Sequence, residues 1–430
     1  MRLNTTQIFA YFQDFQNKSY AQRLFFMFGL VYFAQGLAQN SGLVSQPLAY
    51  FLKQTLHFDQ LQSSTFLAVL TLPWIIKPLY GLISDFVPLL GYRRKTWLLL
   101  LNTISAMAFL MLSGESDAYA IRTCLIFTAI STAASDVIID ALMVENGNRL
   151  GMVGKFQAVQ WFWFYTAQVF TSIVGGWLAD ISTPGTGLHV AALITMFAPL
   201  VVALLTWTTI EEETAEIRIS ELKATWPALK ADLLSGPLKA VALFLAFWNF
   251  SPSFGTPMYY HMIDDLKFSQ TFIGYLGAIG SVGAVLGAFA YGRWFTRISL
   301  NYQLVFSISA GIIGTLSYLS VVDPSDNAAF IMVCLSFVFG IAGAISMLTI
   351  MTLAGRSCPT GAEGFAFAVL MSVSNGFAQI SDIIGSWLYV SVLDKQLDTL
   401  IIISAVFTGF CFALMPILKA VPKESEKDAD

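Results

Sequence analysis

Twelve long apolar runs fill most of this 430-residue chain, and they leave few ways for it to fold. Hydrocarbon offers no water to backbone N–H and C=O groups, so a spanning segment must be a helix of about 20 mostly apolar residues or a strand of a closed barrel. The runs lie at about 24–50, 62–84, 96–113, 119–143, 155–179, 188–209, 239–262, 270–292, 303–322, 328–352, 364–391 and 398–418. They are continuous and far longer than the alternating segments of about ten residues that build an outer-membrane barrel. The predicted fold class is therefore all-α integral membrane, with twelve transmembrane helices. Composition agrees: 56% of residues are hydrophobic and only 12% charged, and mean hydropathy is +0.67. A soluble enzyme of this size would carry far more surface charge and is excluded. A net charge of −4 lacks the basic footprint that phosphate neutralisation requires, so nucleic acid is not an expected partner.

Lys and Arg collect on the cytoplasmic side of short loops. With the N-terminus inside, 18 of the 23 basic residues fall on the cytoplasmic side and four (Lys53, Arg122, Lys267, Lys395) outside. The remaining one, Lys77, lies within the second span. Both termini are thus expected in the cytoplasm. The first 20 residues have no small-residue cleavage site and no Arg-rich character, so neither a cleavable signal nor a transit peptide is expected, which favours a bacterial plasma (inner) membrane. The longest loop opens on Glu211, Glu212 and Glu213 and has the look of an amphipathic surface helix over 214–234. It divides the chain into an N-terminal segment 1–22, a six-helix bundle 23–209, a linker 210–238, a second bundle 239–420 and a tail 421–430. Two six-helix halves on one long loop resemble the major facilitator superfamily, whose halves rock about a site at the membrane midplane.

No chemistry of the enzymatic kind emerges. Cys124, Cys334, Cys358 and Cys411 have no CxxC spacing and read as small core residues, neither disulfides nor zinc ligands. His57, His189 and His261 are isolated near the outer ends of spans, and HExxH, GxSxG and P-loop motifs are lacking. No catalytic residue, metal or cofactor is expected, and without an ATP-binding motif the energy for any transport would come from a gradient.

After the second span the chain reads Gly81-Leu-Ile-Ser-Asp85, then Gly91-Tyr-Arg93-Arg94-Lys95. A small residue allows close helix approach, an acid ends the helix, a glycine turns the chain and a basic cluster meets the headgroups. Asp85 is expected to act as a latch, pairing with basic groups or a helix N-terminus across the two halves in one conformation and releasing them in the other. Glu145, at a depth matching Arg93 and Arg94, joins this set. After the eighth span Gly292, Arg293 and Arg297 form a degenerate echo. The loop resembles the facilitator signature, with two extra residues between the acid and the second glycine. The block from Trp74 through Lys77-Pro78 and Tyr80-Gly81 to Asp85, then Pro88 to Arg94, is similar to the folate-biopterin transporter family of that superfamily. So are Ser135-Asp136-Val-Ile-Ile-Asp140 through Glu145, Pro252-Ser253 with Met258-Tyr259-Tyr260, and Met371-Ser-Val-Ser-Asn375. The chain departs from the family pattern at Gly255, where many members carry an acid, and at Asn146, where many carry an arginine.

An ionisable residue at bilayer depth costs at least about 2.5 kcal/mol, so it faces a partner or a wet cavity. Lys77 lies roughly 12 Å above Asp85 along its helix, and Asp136 roughly 10 Å above Met143, so their depths match. Asp136 and Asp140, four residues apart, share a helical face. Lys77 is expected to pair with Asp136, with Asp140 one turn nearer the cytoplasm. Asp382 falls in the outer half of the eleventh span, beyond reach of Lys77. Two readings stay open for Lys77, Asp136, Asp140 and Asp382: proton coupling to substrate movement, or a static ion pair that fixes the bundle.

The superfamily resemblance implies a pocket between the first, fourth, seventh and tenth spans, with help from the second, fifth, eighth and eleventh. Sequence nominates buried amides and hydroxyls for it: Gln35, Gln39 and Asn40 in the first span, Asn249 and Ser253 in the seventh, Asn375 and Gln379 in the eleventh. Helix-to-helix polar bonding is the competing role for each. The run Gln157-Ala-Val-Gln-Trp161-Phe-Trp163-Phe-Tyr places aromatic rings on every side of the fifth span, so one of Trp161 and Trp163 is expected to stack on a flat heteroaromatic substrate. Pro252, Gly255 and Pro257 should interrupt the seventh span, leaving half-helix ends as ligand contacts or hinges. Glycines 274, 277, 280, 283 and 287 form a stripe on the eighth span for close packing against the fifth.

The resemblance and these residues together imply a secondary active transporter of folate-like or pterin-like small molecules, proton-coupled, monomeric and working by alternating access. A facilitator for muropeptides, whose fourth span is similar, and a non-transporting membrane sensor are the alternatives.

Overall fold

The computed structural model describes residues 5–39, 41–150, 153–181, 183, 185–216, 227, 236–358 and 363–420. Helix is the only regular structure among them: α1 (Thr5–Ala38), α2 (Ser45–Gln54), α3 (Gln60–Ile75), α4 (Lys77–Phe86), α5 (Lys95–Leu112), α6 (Ala118–Leu150), α7 (Val153–Ala179), α8 (Thr186–Thr195), α9 (Phe197–Thr209), α10 (Gly236–Asn249), α11 (Gly255–Asp264), α12 (Gln270–Arg293), α13 (Leu300–Ser317), α14 (Ala328–Ser357), α15 (Glu363–Trp387) and α16 (Leu397–Leu414). They build twelve spans, because α1 with α2, α3 with α4, α8 with α9 and α10 with α11 are each one broken span. Nine of the spans are continuous and apolar enough among the described residues to cross a membrane by length and composition. The other three are the first, fifth and seventh. The expected surface helix over 214–234 and the tail 421–430 lie largely or wholly outside the described residues. Helix α1 already begins at Thr5, well before the first predicted span.

The breaks have local causes. Pro78 has no N–H to give the carbonyl of Trp74, so the second span stops at Ile76 and restarts with Lys77 as the first residue of α4. The Asn375 amide lies 3.5 Å from the carbonyl thus freed. At the far end of the same span Asp59 and Gln62 form a capping box that fixes where α3 starts. In the seventh span, residues between α10 and α11 leave the helix around Pro252. Their backbone groups are taken up by neighbours, Ser253 N–H by the Ser381 carbonyl at 3.1 Å and the Ser251 carbonyl by the Ser381 hydroxyl. Non-helical backbone at this depth is stable only when so enclosed.

Even parity puts the start of α1 and the end of α16 on one side of the bundle, the terminus side; the opposite face is the far side. Each half holds two apolar clusters. In the first half Phe28, Leu98, Ile139 and Phe156 pack toward the terminus side, and Leu52, Phe109, Leu112 and Leu178 toward the far side. The second half repeats this with Phe244, Ile308 and Leu370, then Leu276, Val321 and Leu400. Large apolar side chains such as Trp207, Phe289, Ile313 and Phe330 stay exposed around the outside, the surface that lipid covers.

The halves meet along α7 against α12 and α3 against α15. The glycine stripe divides here in two. A Cβ on Gly274 would sit 2.3 Å from the Ser172 carbonyl of α7, whereas one on Gly283 would sit 2.4 Å from the Phe337 carbonyl of α14. The far-side end of the stripe therefore serves the contact between halves, and its other end serves packing within the second half, a wider role than the expected contact with the fifth span alone.

Candidate functional site

A cavity of about 1360 Å³ lies between the halves. Its lining runs from Gln35, Gln39 and Thr71 at mid-depth to Asp85, Arg94 and Glu145 at the terminus-side ends of α4, α5 and α6, so it opens toward the terminus side. The far side is closed by polar contacts between halves. Lys53 Nζ is 2.6 Å from Asp264. The Gln46 amide donates to the Gln270 carbonyl at 2.7 Å. The hydroxyls of Ser63 and Tyr260 are 2.8 Å apart, and Tyr260 donates to the Phe58 carbonyl at 2.6 Å. Asp180, at the end of the fifth span, accepts from the backbone N–H groups of Gln270 and Thr271 at 2.9 and 2.8 Å. A carboxylate of one half thus caps the first turn of α12 in the other, where the helix dipole favours negative charge.

The break before α4 aims Lys77 into the cavity, and its Nζ is 2.5 Å from Asp136 Oδ2. The ammonium also lies 4.5 Å from the centre of the Trp74 ring, a cation–π contact. One turn along α6, Asp140 accepts a hydrogen bond from the Tyr32 hydroxyl of α1. Lys77, Asp136, Asp140 and Tyr32 all line the cavity. One ammonium thus faces two carboxylates. The opposing wall, from the second half, holds Trp248, Asn249, Tyr318, Phe339, Met347, Met371 and Asn375, with no charged side chain among the described lining residues. Tyr318 and Phe339 stack there with centres 5.8 Å apart.

Several nominated residues stand on this lining: Gln35, Gln39, Trp161, Asn249 and Asn375. Asn249 donates to the Ser374 hydroxyl at 2.8 Å. Trp161 faces inward, edge-on to Phe164 at 5.5 Å. Trp163 does not; it is 37% exposed and packs over Gly29 and Phe33 on the outside of the bundle. The two tryptophans are two residues apart, about 200° around the helix, so only one can face the cavity. Ser253 sits in the enclosed break of the seventh span, and Gln379 accepts from Thr71 at 2.7 Å across the halves; neither is on the cavity lining. The backbone groups freed around Pro252 are taken up by Ser381 of span eleven, and the Gly255 N–H by the Ser253 hydroxyl. Asp382 accepts from Thr256 at 3.3 Å and from Ser64 and Ser253, well away from Lys77. Asn40 lies outside the described residues, as does the side chain of Gln157.

The loop signature forms a cluster of its own. Arg94, 4% exposed, is 2.6 Å from Glu145 and 2.8 Å from Asp85, and Arg93 is 3.5 Å from Asp85. Gly81 lines the cavity, and Gly91 makes the turn with φ +84°. Among the described residues the pairing of Asp85 across the halves is not made in this conformation: its ion pairs, with Arg93 and Arg94, lie within the first half. Glu212, from the start of the linker, accepts from the N–H groups of Arg93, Arg94 and Lys95 at 2.9–3.1 Å and so caps α5.

Four features of the described site had no signal in the residues taken singly: Tyr32 and Gln160 on the cavity lining, Asp180 at its closed end and the capping by Glu212. Tyr32 could have been found as the tyrosine three residues before Gln35 on the same face, and Gln160 by its position beside Trp161. Asp180 and Glu212 act on backbone N–H groups distant in sequence, which no local pattern marks.

The chain matches the BT1 family over residues 35–430. It is 28% identical over 405 residues to a folate-biopterin transporter of Synechocystis, covering 91% of this chain and 80% of that one. It is 23% identical to a probable folate-biopterin transporter of Arabidopsis thaliana, covering 92% of this chain and 94% of that one, and 24% identical to folate transporter 1 of Plasmodium falciparum, covering 79% and 67%. Among solved structures the nucleoside transporter NupG superposes with a TM-score of 0.68 at 17% identity, covering 92% of this chain and 99% of that one. A D-xylose-proton symporter superposes with a TM-score of 0.66 at 13% identity, covering 94% and 98%. The fold is that of the major facilitator transporters, and the match over most of its length makes this multi-pass membrane protein a member of the BT1 family.

Proposed function

We propose that this protein is a secondary active transporter of folate-like or pterin-like compounds, coupled to protons and working by alternating access. The observation that carries the reading is the site itself: one ammonium against two carboxylates, inside a cavity open on one side of the membrane and closed on the other. With Lys77 held by Asp136, the cluster carries one carboxylate more than it has cations, and a proton is the smallest charge that can balance it. Substrate arriving at the same cavity competes for these groups, which links its movement to the proton's.

In this reading the bundles 23–209 and 239–420 rock about the cavity on the linker 210–238. The far-side contacts of Asp180, Lys53 and Tyr260 break as the Asp85 side closes. The segments 1–22 and 421–430 face the cytoplasm of a bacterial inner membrane, and one chain suffices as the working unit, since the cavity is complete within it. Names of the relatives support the substrate class; the flat aromatic wall opposite the charged one suits a bicyclic ring.

Proteoliposomes test the reading. Labelled folate or biopterin should accumulate under an imposed proton gradient and stop accumulating when the gradient is collapsed. Unlabelled folate should compete and a muropeptide should not. Accumulation that ignores the gradient removes the coupling, and competition by muropeptide alone removes the substrate class.

A further inference from the structure

The cavity wall holds buried polar atoms that have no hydrogen-bond partner among the described residues. Gln35 is 6% exposed and Gln160 1% exposed, yet the amide nitrogen of each has no hydrogen-bond partner among the described residues. The indole N–H of Trp74 is in the same condition. All three residues line the cavity beside Asp136 and Asp140. Gln35 follows Tyr32, the partner of Asp140, by one turn of α1, and Gln160 sits on α7, whose Phe156 and Phe164 pack against the same stretch of α1. A buried amide left without a partner costs about 1–3 kcal/mol, which a ligand that offers it an acceptor would recover.

We propose that Gln35, Gln160 and Trp74 are specificity-determining residues that bind the neutral, amide-bearing ring of the substrate and not its anionic tail. The inference rests on the transport reading above and names which part of the molecule is recognised. The charge pattern decides between ring and tail. The cation at this depth, Lys77, is engaged by Asp136 at 2.5 Å, so an anion placed here would meet two carboxylates and no available ammonium. A fused ring with a lactam offers a carbonyl to the orphan N–H donors and ring or amino N–H groups to the carboxylates, so both sets are satisfied together.

The test uses the purified full-length protein with pterin (ring only), folate (ring and tail) and p-aminobenzoylglutamate (tail only), measured by calorimetric titration, on wild type, Gln160→Met and Gln35→Met. Pterin and folate should bind within about threefold of each other and the tail alone at least about thirtyfold more weakly. Each variant should lose about tenfold in affinity for pterin and folate alike, the worth of one good hydrogen bond. The melting temperature without ligand separates binding from structural roles: replacing an unpaired buried amide with an apolar side chain of similar length should leave it unchanged or raise it. A fall in that temperature, or pterin affinity unchanged by both variants, or tail affinity equal to that of folate, overturns the assignment while the transport reading stands. Failure of wild type to bind either folate or pterin overturns both.

Discussion

Breaking the Lys77–Asp136 pair separates a coupling element from a static tether. Removing one partner of a fully buried ion pair destabilises by about 3–5 kcal/mol, because the remaining charge is stranded, whereas an exposed pair is worth about 0–1 kcal/mol. Here the side chains are 19% and 16% exposed at a wet cavity, which places the cost of Asp136→Asn or Lys77→Met between those limits, at about 1–3 kcal/mol. The double variant Lys77→Met with Asp136→Leu removes both members of the pair and leaves Asp140 on its Tyr32 hydroxyl, so it should recover most of that loss. Equilibrium unfolding in mixed micelles, run on both singles and the double, yields the coupling energy, expected at about 1–2 kcal/mol. Transport is read on the same proteins. All three variants should lose gradient-driven accumulation, including the double that regains stability, while Asp136→Asn should keep ungated exchange of substrate down its own gradient. Singles that add within about 0.5 kcal/mol would show that the two groups do not interact. Full accumulation by Asp136→Asn would take Asp136 out of proton coupling.

The far-side closure gives a second test: Asp180→Ala removes the acceptor for two N–H groups at the start of α12, worth about 1 kcal/mol, so labelling of a Thr71→Cys probe from the far side should rise about fivefold; an unchanged rate would mean the cap does not hold the gate. Glu212→Ala should lower stability by about 1 kcal/mol through loss of the α5 cap, while the same change at exposed Glu213 should cost less than about 0.5 kcal/mol. Gly274→Leu should abolish transport, because its Cβ would lie 2.3 Å from the Ser172 backbone carbonyl across the halves. Gly277→Ala meets only side-chain atoms of Ser172, at 3.0 and 3.2 Å, which need give by only a few tenths of an ångström, and should retain it.

The fold was legible because hydrocarbon leaves so few solutions: length and apolarity alone require helices. What stayed hidden were features decided by packing. Pro252 and Gly255 announced a break in the seventh span, but that the break would be filled by Ser381 and Ser404 depends on spans eleven and twelve, more than a hundred residues away. In the first span, Gln35 and Gln39 read as one face of a continuous helix, whereas the chain turns between α1 and α2.

The same distinction runs through the site. Lys77, Asp136 and Asp140 could be read singly because each is an ionisable group in an apolar run, and depth counted along two helices was enough to pair the first two. Trp161 and Trp163 could not be told apart, because apolar rings suit lipid and cavity equally; the rotation that chooses between them comes from Gly29 and Gly36, which draw α7 onto α1 and turn Trp163 outward. Asp85 was expected to pair across the halves in one conformation and release in the other, and in this one it pairs with Arg94 and Arg93 beside it. In this conformation the cavity is open on this side, and among the described residues the acids bonded across the halves are Asp180, Asp264 and Asp382, all toward the closed end. In the alternating-access reading proposed above, Asp85 and Asp180 would serve as acidic latches at opposite ends, engaged across the halves one at a time, since a protein with both engaged would admit nothing and one with neither would leak.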